Sequence, residues 1–223
     1  MTAVIAVLIV VDLVLIDQAR WTVAVALTGT VALLLLARRV GLTRADLGLA
    51  PERVGAGLRW GGALSAVILS AYAVAAFLPA LESAFDDERT PHSLGAVVLK
   101  VLVVIPLRTV LLEEVAFRGV IWALVRRRHG HVRATALSSA LFGLWHVPIA
   151  VVSLRTNDGL ASFSDSVLGG VAVVVTIVIA MTVAGVVLAE LRRRTDSLVA
   201  PALVHWTVNS AGTVIGAAQH ALS

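Results

Sequence analysis

The chain of 223 residues is 59% hydrophobic and 14% charged, with a mean hydropathy of +0.95. Soluble domains are about half apolar and about a quarter charged, so these proportions exclude an ordinary water-soluble domain. The lack of cysteine excludes a disulfide scaffold, a thiolate zinc site and a cysteine nucleophile. The net charge of +4 comes from arginines between long apolar runs, which is typical of membrane topology rather than of nucleic-acid binding.

Seven apolar stretches approach the length of about 20 residues that a membrane-spanning helix needs. They cover residues 3–16, 21–37, 58–80, 94–125, 134–154, 167–190 and 198–218. The first two are short, so six spans result if residues 3–37 form a re-entrant or interfacial hairpin. We therefore predict an all-α fold, a polytopic transmembrane helical bundle of about seven spans.

Arginine clusters occur in every second loop between these stretches and predict the orientation of the chain. Arginines follow the second, fourth and sixth stretches: Arg38, Arg39, Arg44, Arg53, Arg126, Arg127, Arg128, Arg133, Arg192, Arg193 and Arg194. The alternate loops hold Arg20 alone, then three acidic residues at 86–88 with Arg89, then Arg155 with Asp158 and Asp165. The positive-inside rule then places the N-terminus in the cytoplasm. The preference for arginine over lysine in a chain rich in alanine and valine is typical of a high-GC bacterium, so we expect a bacterial plasma membrane.

Strongly polar side chains recur in three of the later apolar stretches, where burial is costly and each such group is a functional candidate. Glu113 and His146 each lie 13 residues from the nearest arginine cluster, a depth of about 20 Å at 1.5 Å per residue. His205 and Asn209 lie 11 and 15 residues beyond the last cluster, or about 16–23 Å deep. Three helices therefore place polar groups in one layer, which predicts a common site.

The spacing within these segments predicts different roles for neighbouring residues. Glu114 and Arg118 are four residues apart with the acid first, the order that favours a helical ion pair, and we interpret this pair as largely structural. Glu113 points to another side of the helix and has no partner there, which suits a general base. His205 and Asn209 are also four residues apart and are expected to face the same cavity.

These groups suggest hydrolysis of an amide. Glu113 would deprotonate a water held by His146, while His205 and Asn209 would donate hydrogen bonds to the oxyanion. Alternatively Glu113, His146 and His205 would bind zinc as a catalytic metal, assembled across three helices because no HExxH motif is present. The residues favour the metal-free mechanism slightly and leave the choice open.

Other embedded polar residues support weaker interpretations. Three serines near the histidines suggest a serine nucleophile, although none lies in a GxSxG sequence: Ser138, Ser139 and Ser210. Arg108 is a candidate partner for Glu113, and Lys100 is expected to extend outward to the membrane surface. Asp12 is expected at the membrane interface.

Taken together, the motifs EExxxR, FxxxH and HxxxN, each in a late span, resemble the CPBP family. This is the family of CAAX prenyl proteases and bacteriocin-processing intramembrane peptidases, also called the Abi family. The motifs read Glu113 to Arg118, Phe142 to His146, and His205 to Asn209. The resemblance divides a single membrane domain into a variable N-terminal transmembrane region, residues 1–97, and a catalytic core, residues 98–218.

The resemblance implies an endopeptidase that cuts a membrane-associated protein or peptide. In this family the first glutamate and the FxxxH histidine activate water, and the HxxxN pair forms the oxyanion site. Supporting roles fall on three other motif residues, Glu114, Arg118 and Phe142. Two other classes are weighed: a catalytically inactive scaffold or bacteriocin-immunity protein of the same fold, and a transporter, which the absence of repeat symmetry disfavours.

Overall fold

The computed structural model describes residues 1–15, 21–78, 89–156 and 166–222, together with Phe85 and Leu160. Over these residues the chain is helical and contains no β-strand, which confirms the predicted all-α class. The acidic residues at positions 86–88, 158 and 165, on which the orientation partly depends, lie outside the described residues. The orientation therefore stays a prediction.

The first part of the chain forms two apolar helices, a short connecting segment and a third long helix. These elements are α1 (Thr2–Leu15), α2 (Thr22–Arg39), α3 (Arg44–Leu47), a 3₁₀ turn (Pro51–Arg53) and α4 (Val54–Ala75). α1 packs against α2 and buries Val4, Leu8 and Val11 in the main hydrophobic core. The first helix is therefore part of the bundle.

A central helix over residues 94–121 alternates between α and π geometry. It consists of α5 (Leu94–Leu99), a π-helical stretch (Lys100–Val110), α6 (Leu111–Glu113) and a second π-helical stretch (Glu114–Ile121). Pro106 lies inside the first π-helical stretch and cannot donate a backbone hydrogen bond there. π turns are often found at functional sites, and the second π-helical stretch contains Glu114 to Arg118 of the EExxxR motif.

The chain continues from the central helix without a loop. α7 (Trp122–Trp145) bends at Gly130, whose φ of 78° is non-helical, and it is followed by α8 (Val147–Thr156), α9 (Val167–Thr195) and α10 (Val199–Leu222). Four described stretches are long and apolar enough to cross a membrane: Thr22–Arg39, Arg44–Ala75, Leu94–Thr156 and Val167–Thr195. The third contains both the fourth and the fifth predicted spans.

Small residues let the helices approach closely, as is usual where helices pack within a membrane. α7 packs against α9, where a Cβ atom on Gly185 would lie 3.0 Å from the Cα of Ser139. α4 packs against α10, where a Cβ atom on Gly61 would lie 3.0 Å from the Cα of Ala200. These contacts hold the helices that carry the two motif histidines close to the centre of the bundle.

Several of the arginines that predict the orientation also form hydrogen bonds with the segment around α3. Asp46 forms a capping box with Thr43 and accepts hydrogen bonds from Arg126 at 3.2 Å and Arg127 at 2.9 Å. Arg192, which is 1% exposed, donates to the backbone oxygen of Asp46 at 2.9 Å. This arginine-rich end of the bundle is thus held together by contacts between distant parts of the chain.

Candidate active site

The four residues predicted to be catalytic line one cavity of about 540 Å³: Glu113, His146, His205 and Asn209. They come from three separate places in the chain, at the end of α6, after α7 and in the first half of α10. The polar residues that their spacing places in one layer therefore surround a single cavity in the structure. Phe142 and Trp145 also line this cavity.

Glu113 is 7% exposed and has polar neighbours from two other helices. Its Oε1 accepts a hydrogen bond from Nε1 of Trp145 at 3.1 Å, and its Oε2 lies 3.7 Å from Nε2 of His205. These contacts come from other helices, and the spacing of residues along one helix cannot reveal them. Oε2 itself has no hydrogen-bond partner among the described residues.

Glu114 forms the predicted ion pair with Arg118 and a second contact that the sequence did not indicate. Its Oε1 lies 3.1 Å from Nη1 of Arg118 and 2.8 Å from Nδ1 of His205. Both adjacent glutamates thus approach opposite nitrogens of one imidazole. They lie at the junction between α6 and a π-helical stretch, whose i→i+5 bonding places neighbouring side chains closer around the axis than an α turn does.

Phe142 connects the ionic cluster to the FxxxH histidine. Its ring is 2% exposed and lies 3.9 Å, centroid to guanidinium carbon, from Arg118. Its centroid is 4.5 Å from that of His146, and its edge contacts Phe117. A cation over an aromatic face is favourable, and more so where water is excluded. Phe142 thus supports Arg118 and His146 together.

The hydrogen bond of His146 determines which ring nitrogen is available to the cavity. Its Nδ1 lies 2.7 Å from the backbone oxygen of Phe142. A carbonyl oxygen only accepts hydrogen bonds, so Nδ1 carries the proton, and in the neutral ring Nε2 carries a lone pair. We assign this tautomer from the contact. His146 is therefore suited to accept a hydrogen bond at Nε2.

Three charged residues of the apolar stretches line cavities in the bundle. Asp12, expected at the membrane interface, lines the cavity that contains Glu113. Arg108 lines this cavity and a second one beside it. Lys100, expected to extend to the surface, lines the second cavity and donates from Nζ to the backbone oxygen of Arg89 at 3.1 Å. The only indication of these positions in the sequence is that each residue is a charge inside an apolar stretch.

The serine alternative has no support in the geometry. Ser138 donates its hydroxyl to the backbone oxygen of Phe117 at 2.7 Å, which joins α7 to the central helix. Among the described lining residues of the cavity, none of the three candidate serines is present. Ser138 has a packing role between helices, and its hydroxyl is already used.

The proposed zinc ligands do not form a ligand set. Within the described ranges, no group of three or more His, Asp or Glu side chains is arranged to hold a metal ion. Glu113 and His205 are neighbours, and the bond from Nδ1 of His146 to a backbone oxygen leaves its Nε2 available to the cavity. Zinc binding therefore stays a prediction, and we derive no step through a metal.

A bundle of apolar helices that encloses carboxylates and histidines around a cavity defines an integral membrane protein with a polar intramembrane site. A comparison with known protein families matches residues 94–211 to the family described as Type II CAAX prenyl endopeptidase Rce1-like. The match covers more than half of the chain, and the chain belongs to this family of membrane proteases. It agrees with the resemblance that the three motifs indicate. No curated protein and no solved structure matches the chain.

Proposed function

We propose that the chain is an intramembrane endopeptidase that hydrolyses a peptide bond of a membrane-associated protein or peptide with a water activated by Glu113 and His146. One observation carries this proposal. Oε2 of Glu113 is buried and has no hydrogen-bond partner among the described residues, in a side chain that lines a cavity of about 540 Å³. A buried carboxylate oxygen of this kind needs a partner, and a water in the cavity supplies one.

In the proposed reaction, the water oxygen forms a bond to the carbonyl carbon of the scissile peptide. Glu113 takes one proton from that water, and Nε2 of His146 accepts a hydrogen bond from the other. The carbonyl electrons move to oxygen and give a tetrahedral oxyanion. The protonated Glu113 then delivers its proton to the amide nitrogen, the C–N bond breaks, and a carboxylic acid and an amine leave.

We assign stabilisation of the oxyanion to His205 and Asn209. Both line the cavity, and the second residue lies one helical turn after the first. Nε2 of His205 donates a hydrogen bond when the ring is protonated, and the carboxylates of Glu113 and Glu114 compensate the charge of that form. One oxyanion donor typically contributes about 2.7–4 kcal/mol to lowering the barrier.

The test uses purified protein in lipid vesicles and an internally quenched peptide that ends in a CAAX sequence with an S-farnesyl cysteine. We expect Glu113→Gln to reduce cleavage by about 100-fold or more, since general base catalysis contributes about 10²–10⁴-fold. His146→Gln should also reduce it, and Glu52→Gln, at an exposed carboxylate on the 3₁₀ turn, is the matched control. Equal cleavage by Glu113→Gln and the unchanged chain would overturn the mechanism.

Metal analysis of the same samples tests the zinc alternative. One zinc per chain in the unchanged protein, lost in Glu113→Gln, would replace the water mechanism with a metal-dependent one. If no peptide is cleaved while all variants fold normally, the inactive scaffold or immunity-type role becomes the better account of the fold.

A further inference from the structure

The first helix of the chain contributes a carboxylate to the cavity that contains Glu113. Asp12 of α1 lines this cavity together with Glu113 and His146, and it is close enough to both for electrostatic interaction. α1 lies outside residues 94–211, the part of the chain that the family match covers. The proposed site therefore contains an acidic group that the EExxxR, FxxxH and HxxxN motifs do not supply.

Packing at Gly29 of α2 fixes the depth of Asp12 in the bundle. A Cβ atom on Gly29 would lie 2.7 Å from Cγ2 of Val11 and 3.5 Å from Cδ1 of Leu112, so α1 and the central helix both meet α2 at this residue. Val11 and Leu112 are both buried. Asp12 and Glu113 are the next residues of their helices, and one residue is a rise of about 1.5 Å. The two carboxylates are therefore held at nearly the same level.

The pattern of residues along α1 turns Asp12 toward the interior. Leu8 and Val11 are buried in the main hydrophobic core, and Asp12 follows Leu8 by four residues, which places it at the border of the buried face. Ile9 and Val10, on the other side of the helix, are exposed. Asp12 is the only ionisable side chain in α1. The helix thus presents one carboxylate to the cavity and an apolar side to the lipid.

The carboxylate of Asp12 is available to a ligand. Among the residues that the structure describes, none forms a hydrogen bond or an ion pair with it, whereas Arg108, which lines the same cavity, has interactions of its own. Two acids and one arginine line the described wall of the cavity, namely Asp12, Glu113 and Arg108. A charge within a membrane is costly unless it is paired, so this wall favours a ligand that brings a cation.

We propose that Asp12 selects peptides that carry a lysine or arginine side chain close to the scissile bond. The inference rests on the proposed function, which places the scissile bond beside Glu113, and it names the class of substrate. An ammonium or guanidinium group donates a charge-assisted hydrogen bond to a carboxylate. The apolar stem of such a side chain packs on apolar surface, which most of the described lining supplies.

The experiment compares pairs of internally quenched farnesyl CAAX peptides that have lysine or norleucine at one position. This position is placed in turn before the farnesyl cysteine and at each of the two residues after it. Norleucine keeps an unbranched apolar stem and lacks the ammonium group. Vesicles of neutral phosphatidylcholine keep the attraction of lysine to an anionic membrane surface out of the comparison. In at least one pair we expect the lysine peptide to have a kcat/KM about 10-fold higher, mainly through KM, as a gained charge-assisted hydrogen bond produces.

Substitutions of Asp12 then test whether this residue recognises the cation. Asp12→Asn should abolish the preference for lysine, and Asp12→Glu should retain most of it. Asp12→Ser is a second neutral variant, so the test does not depend on how well the asparagine variant folds. Glu52→Gln, at an exposed carboxylate that does not line the cavity, is the matched control and should keep the full preference.

Equal cleavage within every pair by the unchanged protein would overturn the proposal. So would a preference for lysine that both neutral variants retain, or a loss of cleavage in them that is equal for the two peptides of each pair, because Asp12 would then act on the fold or on Glu113. Binding of the same pairs to Glu113→Gln protein separates this proposal from the proposed function. If nothing is cleaved, tighter binding of a lysine peptide that an added Asp12→Asn removes still supports the proposal, and equal or absent binding refutes it.

Discussion

Nδ1 of His205 lies 2.8 Å from Oε1 of Glu114, the same oxygen that accepts a hydrogen bond from Arg118 at 3.1 Å. The guanidinium, the carboxylate and the imidazole therefore form a continuous chain inside the bundle, and Arg118 is 0% exposed. This chain fixes the plane of the imidazole and leaves Nε2 directed toward Glu113, 3.7 Å from Oε2. The glutamate interpreted as structural thus also positions a residue of the proposed oxyanion site.

Replacement of Glu114 should separate its structural role from its positioning role. Glu114→Ala leaves the buried Arg118 without its counterion, and breaking a buried pair in this way typically costs about 3–5 kcal/mol. We expect a clear fall in the thermal unfolding midpoint in detergent. Glu114→Gln keeps the shape and should lose less stability, yet it should lower kcat because His205 loses its charged partner. Identical midpoints for Glu114→Ala and the surface control Glu52→Ala would contradict this.

Trp145 and Trp206 offer a matched pair for testing how Glu113 is positioned. Nε1 of Trp145 donates to Oε1 of Glu113 at 3.1 Å, whereas Nε1 of Trp206 donates to the backbone oxygen of Val101 at 2.8 Å. We expect Trp145→Phe to lower kcat about 10-fold, since hydrogen bonds to charged groups contribute about 1.5–3 kcal/mol. Trp206→Phe should leave kcat nearly unchanged. Steady-state kinetics at saturating peptide measures both, and equal effects would refute the role of Trp145.

The cluster around Asp46 should stabilise the fold without affecting the site. Asp46→Ala removes the capping box with Thr43 and two partly exposed ion pairs, which together should cost about 1–2 kcal/mol. Glu190→Ala is the control, because its partners Arg193 and Arg194 are exposed and such substitutions usually change stability by less than about 0.5 kcal/mol. Thermal unfolding should rank the variants in this order. A larger loss in Glu190→Ala would contradict the assignment.

The predicted orientation is open to a direct test because the chain has no cysteine. Leu94 and Val132 are 81% and 83% exposed. Leu94 begins the central helix, and Val132 lies two residues after the bend at Gly130 in α7. In intact bacteria we expect Leu94→Cys to react with a membrane-impermeant maleimide. Val132→Cys should react only after permeabilisation, because the arginines around Val132 predict that this part of α7 is cytoplasmic. The reverse pattern would invert the topology.

The comparison of sequence with structure is clearest at Glu113 and Glu114. Their spacing to Arg118 correctly predicted the ion pair of Glu114, because residues four apart on a helix are neighbours whatever the rest of the fold does. The same reasoning could not find Trp145 beside Glu113 or His205 beside Glu114, since these partners come from other helices. Asp12 and Lys100 show the same limit: a charge in an apolar stretch signals importance without indicating which cavity it lines.

The sequence by itself determined the helical class, most of the long helices and the layer in which the polar residues lie, because hydropathy and helical rise are local properties. Only the tertiary structure decided the rotation of each helix about its own axis, and so which side chains face which neighbour. Close approaches such as that of Gly185 to Ser139 set those rotations, and they depend on shape complementarity between distant segments. The contacts of both glutamates with His205 follow from those rotations, as does the cavity that Glu113 lines.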